Sequence, residues 1–303
     1  MLSNSKENIT LSPPRSPDAS IAVVMITLNE AHNLRAVLEN ISGWANEIFI
    51  VDSCSSDETV DIALEFGVHV VQRRFRGFGD QWNFALENLP IKCRWTMKLD
   101  PDERLTEDLK RSIDKIVVEN NPVGIFLDRR LWFMGKALPV RQRILRLWQT
   151  GACKFSDVLV NEYPLVRGEC LRADGYLEHF DSPNLHHWFE KQNLYSSKEA
   201  IAHYENHELA IEPKFFGSNT QRRMWLKRKF WKFPFRYFFL FVYHYVFKSA
   251  WVCGRVGWIW AHLRTDSYRN LEYKRYEIKR IGRAPVFRPA SVGRPDPRVN
   301  FFD

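Results

Sequence analysis

Cysteine is scarce in this chain, and its cysteines are never closely spaced. There are five in 303 residues, and no two of them form a C-x-x-C pair. They lie at Cys54, Cys93, Cys153, Cys170 and Cys253. An odd, scattered set argues against a disulfide framework and against a structural zinc site. We therefore expect a protein of a reducing compartment, the cytoplasm.

A long hydrophobic run is also missing. The charge-free stretch 237–247 spans eleven residues, whereas a transmembrane helix needs about 18–20 apolar residues. The N-terminal residues are rich in Ser and Pro and contain no apolar segment of the signal-peptide type. We expect residues 1–19 to be a disordered leader and the protein not to be secreted.

The glycine motifs of the commonest nucleotide-binding folds are absent. No G-x-G-x-x-G follows the first apolar run, and no G-x-x-x-x-G-K-[ST] occurs in the chain. Dinucleotide-binding and P-loop folds therefore lose support.

Strand-like and helix-like segments nevertheless alternate through the first hundred residues. The β-branched run Ile21–Thr27 is typical of a strand buried on both faces, and residues 31–41 show helical spacing of apolar side chains. Three more strands are predicted over 47–51, 68–71 and 95–99. This alternation predicts the α/β class, with a mostly parallel central sheet and helices on both faces.

Polar side chains follow the predicted strands where each strand ends. Thr27, Asn29 and Glu30 follow the first strand, and Asp52 follows the second. Loops at the carboxyl ends of parallel strands form the ligand crevice of such sheets. Asp52 could alternatively cap the next helix, and Glu30 could interact with the positive end of its own helix.

Two aspartates follow the strand predicted over 95–99. Asp100 and Asp102 are one residue apart, and alternation along an extended backbone predicts that they project to the same side. Paired carboxylates repel unless a cation lies between them, so we predict a divalent metal holding a phosphate-bearing substrate. The alternative is an acidic turn that begins a helix.

Four motifs follow one another along the chain: Thr-Leu-Asn-Glu at 27–30, Val-Asp-Ser at 51–53 with Ser-Ser-Asp-Glu-Thr at 55–59, Gly-Phe-Gly-x-Gln-x-Asn at 77–83, and Leu-Asp-Pro-Asp-Glu at 99–103. In order and spacing they resemble family 2 glycosyltransferases, and in particular the bacterial branch that adds sugars to the lipopolysaccharide core. The resemblance covers roughly residues 20–280 and implies the GT-A fold, a nucleotide-binding α/β domain.

The resemblance also implies roles for individual residues. Thr27, Asn29 and Glu30 would line the nucleobase and ribose pocket together with Asp52. Asp100 and Asp102 would hold Mg²⁺ or Mn²⁺ on the donor diphosphate.

The third motif places Gln81 and Asn83 in the predicted helix over 80–89. Relatives usually carry Lys between these two residues, where this chain has Trp82. This difference weakens the prediction that a positively charged side chain of this helix contacts the diphosphate. Side chains two residues apart do not share one helix face, so we expect one of Gln81 and Asn83 to be structural.

Arginines and histidines in the middle of the chain offer further candidates. Arg143 and Arg146 could bind a diphosphate by charge-assisted hydrogen bonds, or could be solvent-facing residues of an edge strand. His179 lacks zinc-like spacing to another histidine and is expected to make local hydrogen bonds or acceptor contacts. Lys191 and Tyr195 share one helix face and are expected to be structural.

Catalysis by inversion needs a carboxylate that accepts the proton of the attacking hydroxyl. The resembled family often has Val-His-Glu where this chain has Val-Asn-Glu at 160–162. We predict Glu162 as the base, with Asp157 as the alternative, and Asp102 as the second catalytic residue through its metal.

The C-terminal third is basic and aromatic. Residues 221–236 carry seven of the chain's basic residues and no acid, leaving a net charge of +1 for the remainder of a chain of net charge +8. This composition could bind single-stranded nucleic acid or an anionic membrane surface. Polar residues spaced as on one helix from His244 to Asp266 favour an interfacial helix, with an ordinary buried helix as the alternative.

Together these observations predict a metal-dependent inverting glycosyltransferase. We expect a GT-A domain over 20–215, a membrane-interfacial helical region over 216–283 and a flexible tail over 284–303. The donor is predicted to be a nucleotide-diphospho-sugar and the acceptor a cell-envelope glycan or glycolipid, at the inner face of the cytoplasmic membrane. No nucleic acid partner is expected. The alternatives are an inactive or nucleic-acid- or membrane-binding module, and a nucleotidyltransferase.

Overall fold

The computed structural model describes residues 17–156, 163–204, 216, 225, 230 and 233–284. They form an α/β domain with a central nine-stranded sheet and a helical C-terminal region. The predicted fold class is therefore confirmed. The strands are β1 Ile21–Thr27, β2 Glu47–Asp52, β3 His69–Gln72, β4 Trp95–Lys98, β5 Glu103–Leu105, β6 Gly124–Phe133, β7 Lys136–Gln149, β8 Cys153–Phe155, β9 Pro164–Val166, β10 Cys170–Arg172 and β11 Leu177–His179. The helices are α1 Ala31–Ile41, α2 Thr59–Glu65, α3 Phe78–Asn88, α4 Glu107–Glu119, α5 Leu185–Tyr204, α6 Arg236–Val242 and α7 Arg255–Ile281.

The strand order of the main sheet is β3-β2-β1-β4-β7-β6-β11-β5, with β10 paired to β6. Strands β3, β2, β1 and β4 are mutually parallel, whereas β7 is antiparallel to both of its neighbours. The chain moves outward from β1 to β3 and then returns to place β4 on the other side of β1. Such a reversal opens a crevice at the carboxyl ends of the two strands, here between β1 and β4.

Strand β1 divides the hydrophobic core into two layers. Ile21, Val23 and Met25 pack into one cluster with α1 and α4, while Ala22 and Val24 pack into the other beside Trp82. All five of these β1 side chains have no exposed surface. Burial of each larger one stabilises the fold by about 1.5–3 kcal/mol. The strand buried on both faces, predicted from its continuous apolar run, is confirmed.

One local prediction around the site and its alternative are both wrong. Strand β4 ends at Lys98, so Asp100 and Asp102 lie in a turn rather than on extended backbone. The alternative, in which this acidic turn begins a helix, is wrong because residues 103–105 form β5 and pair with β11. Pairing of β5 with the distant strand β11 determines the backbone conformation here and overrides the local sequence preference.

Strand β7 is central rather than an edge strand, since it lies between β4 and β6. The β6–β7 pairing shifts register between Ile125 and Phe126, which leaves Arg146 as the extra residue between Leu145 and Leu147. A bulge of this kind redirects a side chain relative to regular strand alternation.

The C-terminal region is not one continuous helix. After α6 come a π-helical turn at Tyr243–Phe247 and a 3-10 turn at Ala250–Cys253, and α7 begins only at Arg255. Ser249 and Gly254 have left-handed φ angles of 56° and 60°, which end the preceding turns. The polar stripe predicted along one helix from His244 to Asp266 is therefore wrong. Among the described residues, no helix is long and apolar enough to cross a membrane.

Helix α7 packs along α5 and against the preceding turns. A Cβ atom at Gly257 would lie 1.7 Å from the carbonyl oxygen of Ala250. This close approach allows the 3-10 turn to fold back onto α7.

His244 lies in the π-helical turn and is only 8% exposed. Neither of its ring nitrogens has a hydrogen-bond partner, and its ring packs edge-on against Trp260 at 5.2 Å. Burial, together with the charges of Arg264 and Lys248, lowers the pKa of His244 from 6.5 to about 4. The folded protein therefore holds this imidazole neutral.

We predict that the free energy of unfolding falls as the pH is lowered from about 6.5 toward 4, because the unfolded chain then binds a proton that folded His244 does not. His244→Phe should weaken this part of the pH dependence and raise Tm at neutral pH by a few °C, since an unsatisfied buried polar group is removed. Thermal denaturation across this pH range measures both effects. His186→Phe, at a histidine whose side chain is 85% exposed, is the control. An unchanged pH profile in His244→Phe would contradict the prediction.

Candidate functional site

The crevice between β1 and β4 is bordered by the loops that follow β1, β2 and β4. Thr27 ends β1 and pairs in register with Asp52 at the end of β2. The Thr27 hydroxyl donates to Asp52 Oδ1 at 2.8 Å. Asp52 has no exposed surface, and its Oδ2 also accepts from Ser55 N at 2.8 Å and Gln72 Nε2 at 3.2 Å. Asp52 thus orders the loop after β2, but the capping alternative is wrong, because α2 begins only at Thr59 and Glu58 is its N-cap residue.

Asn29 connects the first two loops. It has a left-handed φ of 56°, its N–H donates to Ser55 Oγ, and its Oδ1 accepts from Ser56 N, both at 2.8 Å. Asparagine tolerates this backbone conformation better than most residues. Residues 27–30 and 52–57 therefore form one connected rim of the crevice.

Glu30 immediately precedes α1, and its carboxylate does not cap that helix. It accepts a hydrogen bond from Asn33 Nδ2 at 2.9 Å. Burial raises the pKa of Glu30 to about 7; the Asn33 hydrogen bond opposes this rise, and the nearby carboxylate of Asp102 adds to it. Glu30 therefore lies within electrostatic reach of the acidic turn after β4.

Gln81 and Asn83 have different partners, as the helical spacing predicts. Asn83 exchanges two hydrogen bonds with the backbone of Phe155, at 2.8 and 3.1 Å, and so holds β8 against α3. Buried Gln81 accepts from Arg73 and lies 3.3 Å from Ser53 Oγ, next to the loop after β2. Trp82 is fully buried beneath the Lys98 ammonium, which lies 4.4 Å from its ring centre. Lys98, the last residue of β4, thus supplies a positive charge next to α3.

The carboxylates of Asp100 and Asp102 have separate partners. Asp100 Oδ2 accepts from Arg146 Nη2 at 2.6 Å, whereas Asp102 Oδ2 lies 3.2 Å from His179 Nε2 and 3.4 Å from Lys191 Nζ. The expected same-side arrangement, argued from strand alternation, is wrong because a turn replaces the strand. Both residues remain at the carboxyl end of β4, in the predicted crevice.

Both aspartates are held ionised. Burial alone would raise the pKa of Asp100, but Arg146 and Lys98 outweigh it and lower this pKa to about 2. Burial of Asp102 is likewise outweighed by His179, Lys191 and Arg129, so its pKa is well below the usual range. A carboxylate with so low a pKa is a good cation ligand and a poor proton acceptor at neutral pH.

Arg146 and Arg143 belong to separate charge clusters. Arg146 is 5% exposed and bridges Asp100 and fully buried Glu103, at 2.6 and 2.5 Å. Arg129 reaches the same Glu103 carboxylate at 3.3 Å. Arg143 has a side chain that is 58% exposed and lies 3.5 Å from Asp128. The edge-strand alternative is therefore wrong for Arg146, and the two arginines do not converge on one ligand position.

Asp102, His179 and Asp181 form a group that could hold a metal ion. One atom from each of these three side chains could bind the ion, and these atoms all lie within 4.8 Å of one another. Among the described residues, this is the group of acidic, histidine or cysteine side chains that meets this condition. His179 reaches Asp102 because β11 pairs with β5, which puts His179 opposite Glu103. The sequence prediction of a local role missed this contact, since no spacing along the chain reveals that pairing.

Two carboxylates and an imidazole suit a divalent cation such as Mn²⁺, and the low pKa values of Asp102 and Asp181 keep both available as anionic ligands. Asp100 is not in this group, because Arg146 holds its Oδ2. The side chains of Asp102, His179 and Asp181 thus suit the predicted divalent metal. Of the predicted pair of metal ligands, Asp100 and Asp102, only Asp102 belongs to this group.

Glu162 and Asp157, the two predicted bases, lie outside the described residues. Of the residues that flank them, Ser156 N donates to Tyr163 O at 3.3 Å. On either side β8 and β9 pair antiparallel, and Phe155 is fixed by Asn83.

We predict that Arg146→Ala lowers the free energy of unfolding by about 3–5 kcal/mol, because it removes the buried guanidinium that contacts both Asp100 and the fully buried carboxylate of Glu103. Arg143→Ala is the matched control on the same strand and should cost less than about 1 kcal/mol, since the Arg143 side chain is 58% exposed and Asp128 keeps Arg172 as a partner at 2.6 Å. Urea denaturation at neutral pH measures both variants. Equal costs would show that Arg146 is not a structural bridge.

The first half of the chain is similar in sequence to known proteins. Residues 22–164 match the sequence profile of Glycosyl transferase family 2. An uncharacterized glycosyltransferase of Rickettsia bellii is 35% identical over 201 residues, which cover 59% of this chain and 66% of the relative. The uncharacterized glycosyltransferase RP128 of Rickettsia prowazekii is 24% identical over the same shares of the two chains. The matched segment thus spans just under two thirds of these relatives.

Solved structures resemble the chain more distantly. S. aureus TarS 1-349 in complex with UDP-GlcNAc has a TM-score of 0.41 and 13% identity, covering 87% of this chain and 92% of that one. Glucosyl-3-phosphoglycerate synthase from Mycobacterium tuberculosis, in complex with Mn²⁺, UDP and glucosyl-3-phosphoglycerate, has a TM-score of 0.29 and 20% identity, covering 38% and 44%. These scores are too low to transfer residue roles.

Proposed function

We propose that the protein, whose residues 22–164 match the profile of Glycosyl transferase family 2, transfers a sugar from a nucleotide-diphospho-sugar to an acceptor hydroxyl. The observation that carries the proposal is the position of the acidic turn. Asp100 and Asp102 lie at the reversal point of the sheet, where α/β domains bind ligands, and Asp102 lies next to His179 and Asp181. The family match gives no support to the nucleotidyltransferase alternative.

In this proposal the donor lies along the crevice between β1 and β4. Its nucleoside contacts the rim formed by the loops after β1 and β2, near Thr27, Asn29, Glu30 and Asp52. Its diphosphate lies over the turn after β4. Asp102, Asp181 and His179 would hold Mg²⁺ or Mn²⁺, which supplies positive charge for the diphosphate of the donor and of the leaving group.

The reaction proposed is an inverting displacement. The acceptor oxygen forms a bond to C1 of the sugar as the bond from C1 to the phosphate oxygen breaks, and the nucleoside diphosphate leaves. The acceptor proton passes to a carboxylate, for which Glu162 remains our proposal and Asp157 the alternative. Asp102 is unsuited to this task, because its lowered pKa makes it a weak base.

The proposed acceptor is a cell-envelope glycan or glycolipid, of the lipopolysaccharide-core type. Support comes from an exposed aromatic face on α6 and the two turns after it. Phe238 is 63% exposed, Phe247 75% and Trp251 56%. Aromatic side chains exposed in such number mark an interaction surface, and a lipid-linked acceptor would be met at a membrane.

The sequence that contains these exposed aromatic residues is basic, which favours an anionic partner. Residues 213–265 contain eleven lysines and arginines and no aspartate or glutamate. Basic segments with exposed aromatic side chains bind the anionic inner leaflet without spanning it. We propose peripheral contact with the inner face of the cytoplasmic membrane, and no nucleic acid partner.

Donor binding provides the first test. We predict that the protein binds UDP or GDP in the presence of Mn²⁺, and that Asp102→Ala weakens this binding by about tenfold or more, because a metal ligand is removed. Titration calorimetry with and without EDTA measures this. Asp108→Ala, at a carboxylate whose side chain is 76% exposed, is the control. Absence of any nucleotide binding by the unchanged protein would refute the transferase proposal.

Membrane contact is tested separately. The triple variant Phe238→Ser, Phe247→Ser, Trp251→Ser should bind phosphatidylglycerol vesicles at least about tenfold more weakly in flotation, because exposed apolar area is lost. The matched control is Leu64→Ser, Val118→Ser, Met134→Ser, which removes exposed hydrophobic side chains elsewhere. Equal flotation of the two variants would contradict the membrane proposal.

A further inference from the structure

Lys191 lies among the same side chains that could hold a metal. It is on α5, and its ammonium lies 2.9 Å from Asp181 Oδ1 and 3.4 Å from Asp102 Oδ2. It also donates to the backbone oxygen of Asp181 at 3.0 Å. An ammonium has three donors, and these three oxygens engage all of them.

The ammonium is held in its charged form. Burial of Lys191 would lower its pKa, but the Asp102 and Asp181 carboxylates outweigh this effect and raise the pKa far above its usual value. Lys191 is therefore charged at neutral pH. Its side chain is 21% exposed, so water does not surround it.

A divalent ion bound by Asp102 and Asp181 would take up the oxygens that Lys191 now contacts. Mg²⁺ lies only about 2.0–2.1 Å from its oxygen ligands. Such an ion and an ammonium that share two carboxylates repel each other strongly in a partly buried site. The two cations therefore exclude one another from the space between these carboxylates.

We propose that the Lys191 ammonium and a divalent metal ion are alternative occupants of one cation position between Asp102 and Asp181. Lys191 then neutralises the carboxylates while the metal is absent and lowers the affinity of the site for metal. This inference rests on the metal-binding part of the proposed function. It goes beyond it by assigning Lys191, expected from the sequence to be structural, as the residue that sets metal affinity.

The first experiment measures Mn²⁺ binding by electron paramagnetic resonance in the absence of nucleotide. Lys191→Met removes the charge and keeps a side chain of similar length, and we expect Mn²⁺ to bind at least tenfold more tightly than to the unchanged protein. Lys191→Arg, which keeps the charge, should stay near the unchanged protein. Lys198→Met, two turns further along the same face of α5, is the matched control and should leave the affinity unchanged. Equal or weaker binding by Lys191→Met overturns the proposal.

The second experiment uses the unchanged protein and does not depend on a variant that folds. Acetylation of individual lysines by an amine-reactive ester is followed by mass spectrometry, with and without Mn²⁺ at a concentration that saturates the resonance titration. Displacement predicts that Mn²⁺ increases labelling of Lys191 and leaves labelling of Lys198 unaltered. Labelling of Lys191 that stays constant or falls overturns the proposal.

A structural salt bridge and an exchangeable cation differ in these readouts. If Lys191 only fastened α5 to the loop after β11, its loss would lower stability without raising metal affinity. Failure of the inference is also distinct from failure of the transferase proposal. One outcome separates the two. If neither the unchanged protein nor Lys191→Met binds Mn²⁺, while nucleotide binding and nucleoside diphosphate release persist in EDTA, the proposed cation exchange is overturned and the proposed sugar transfer is not.

Discussion

The buried ion pairs around Arg146 are the interaction on which the geometry of the crevice depends. Arg146 holds the carboxylates of Asp100 and Glu103 on either side of the two turn residues Pro101 and Asp102, and Glu103 Oε2 accepts a hydrogen bond from the backbone N–H of Asp100. The turn after β4 is thereby fixed from both ends. Burying these charges is costly, and the cost is offset only because each carboxylate meets a charged partner at hydrogen-bond distance. A functional site whose anionic groups stay ionised out of water needs such an arrangement.

The two aspartates of the acidic turn have different cationic partners. Asp100 faces the buried guanidinium of Arg146, which is fixed by β7 and cannot leave. Asp102 faces His179 and Lys191, which come from β11 and α5. In our proposal the Asp102 side exchanges its cationic partner for a ligand, whereas Asp100 has a structural role, although only one residue separates the two aspartates.

The aromatic and basic C-terminal region has a different physical basis. The part that the structure describes is stabilised by packing of α7 on α5 and by a small hydrophobic cluster around Trp188 and Trp260. Its outward side leaves large aromatic side chains in solvent. Because α5 also carries Lys191, the helix that supports this region reaches directly into the candidate site. A surface contact and a cation site are thus built on one structural element.

The sequence by itself determined the class of the fold and the location of the crevice. Continuous apolar strands, alternating with helices, required a buried parallel sheet, and polar residues at successive strand ends required those residues to share one edge. Thr27, Asn29, Asp52 and Asp100 accordingly lie where the pattern placed them. These inferences succeeded because burial and strand alternation are local properties that appear directly in the residue order.

Only the tertiary structure decided which side chains meet at that edge. Pairing of β11 with β5 brings His179 to Asp102, and α5 brings Lys191 to the same carboxylate, across 77 and 89 positions of the chain. The bulge in β7 directs Arg146 to Asp100, where regular alternation gave no reason to expect it. Helix-like spacing similarly suggested one long C-terminal helix, which two left-handed residues interrupt. Contacts of this kind depend on strand register and chain reversal, and neither is recorded in the spacing of residues along the sequence.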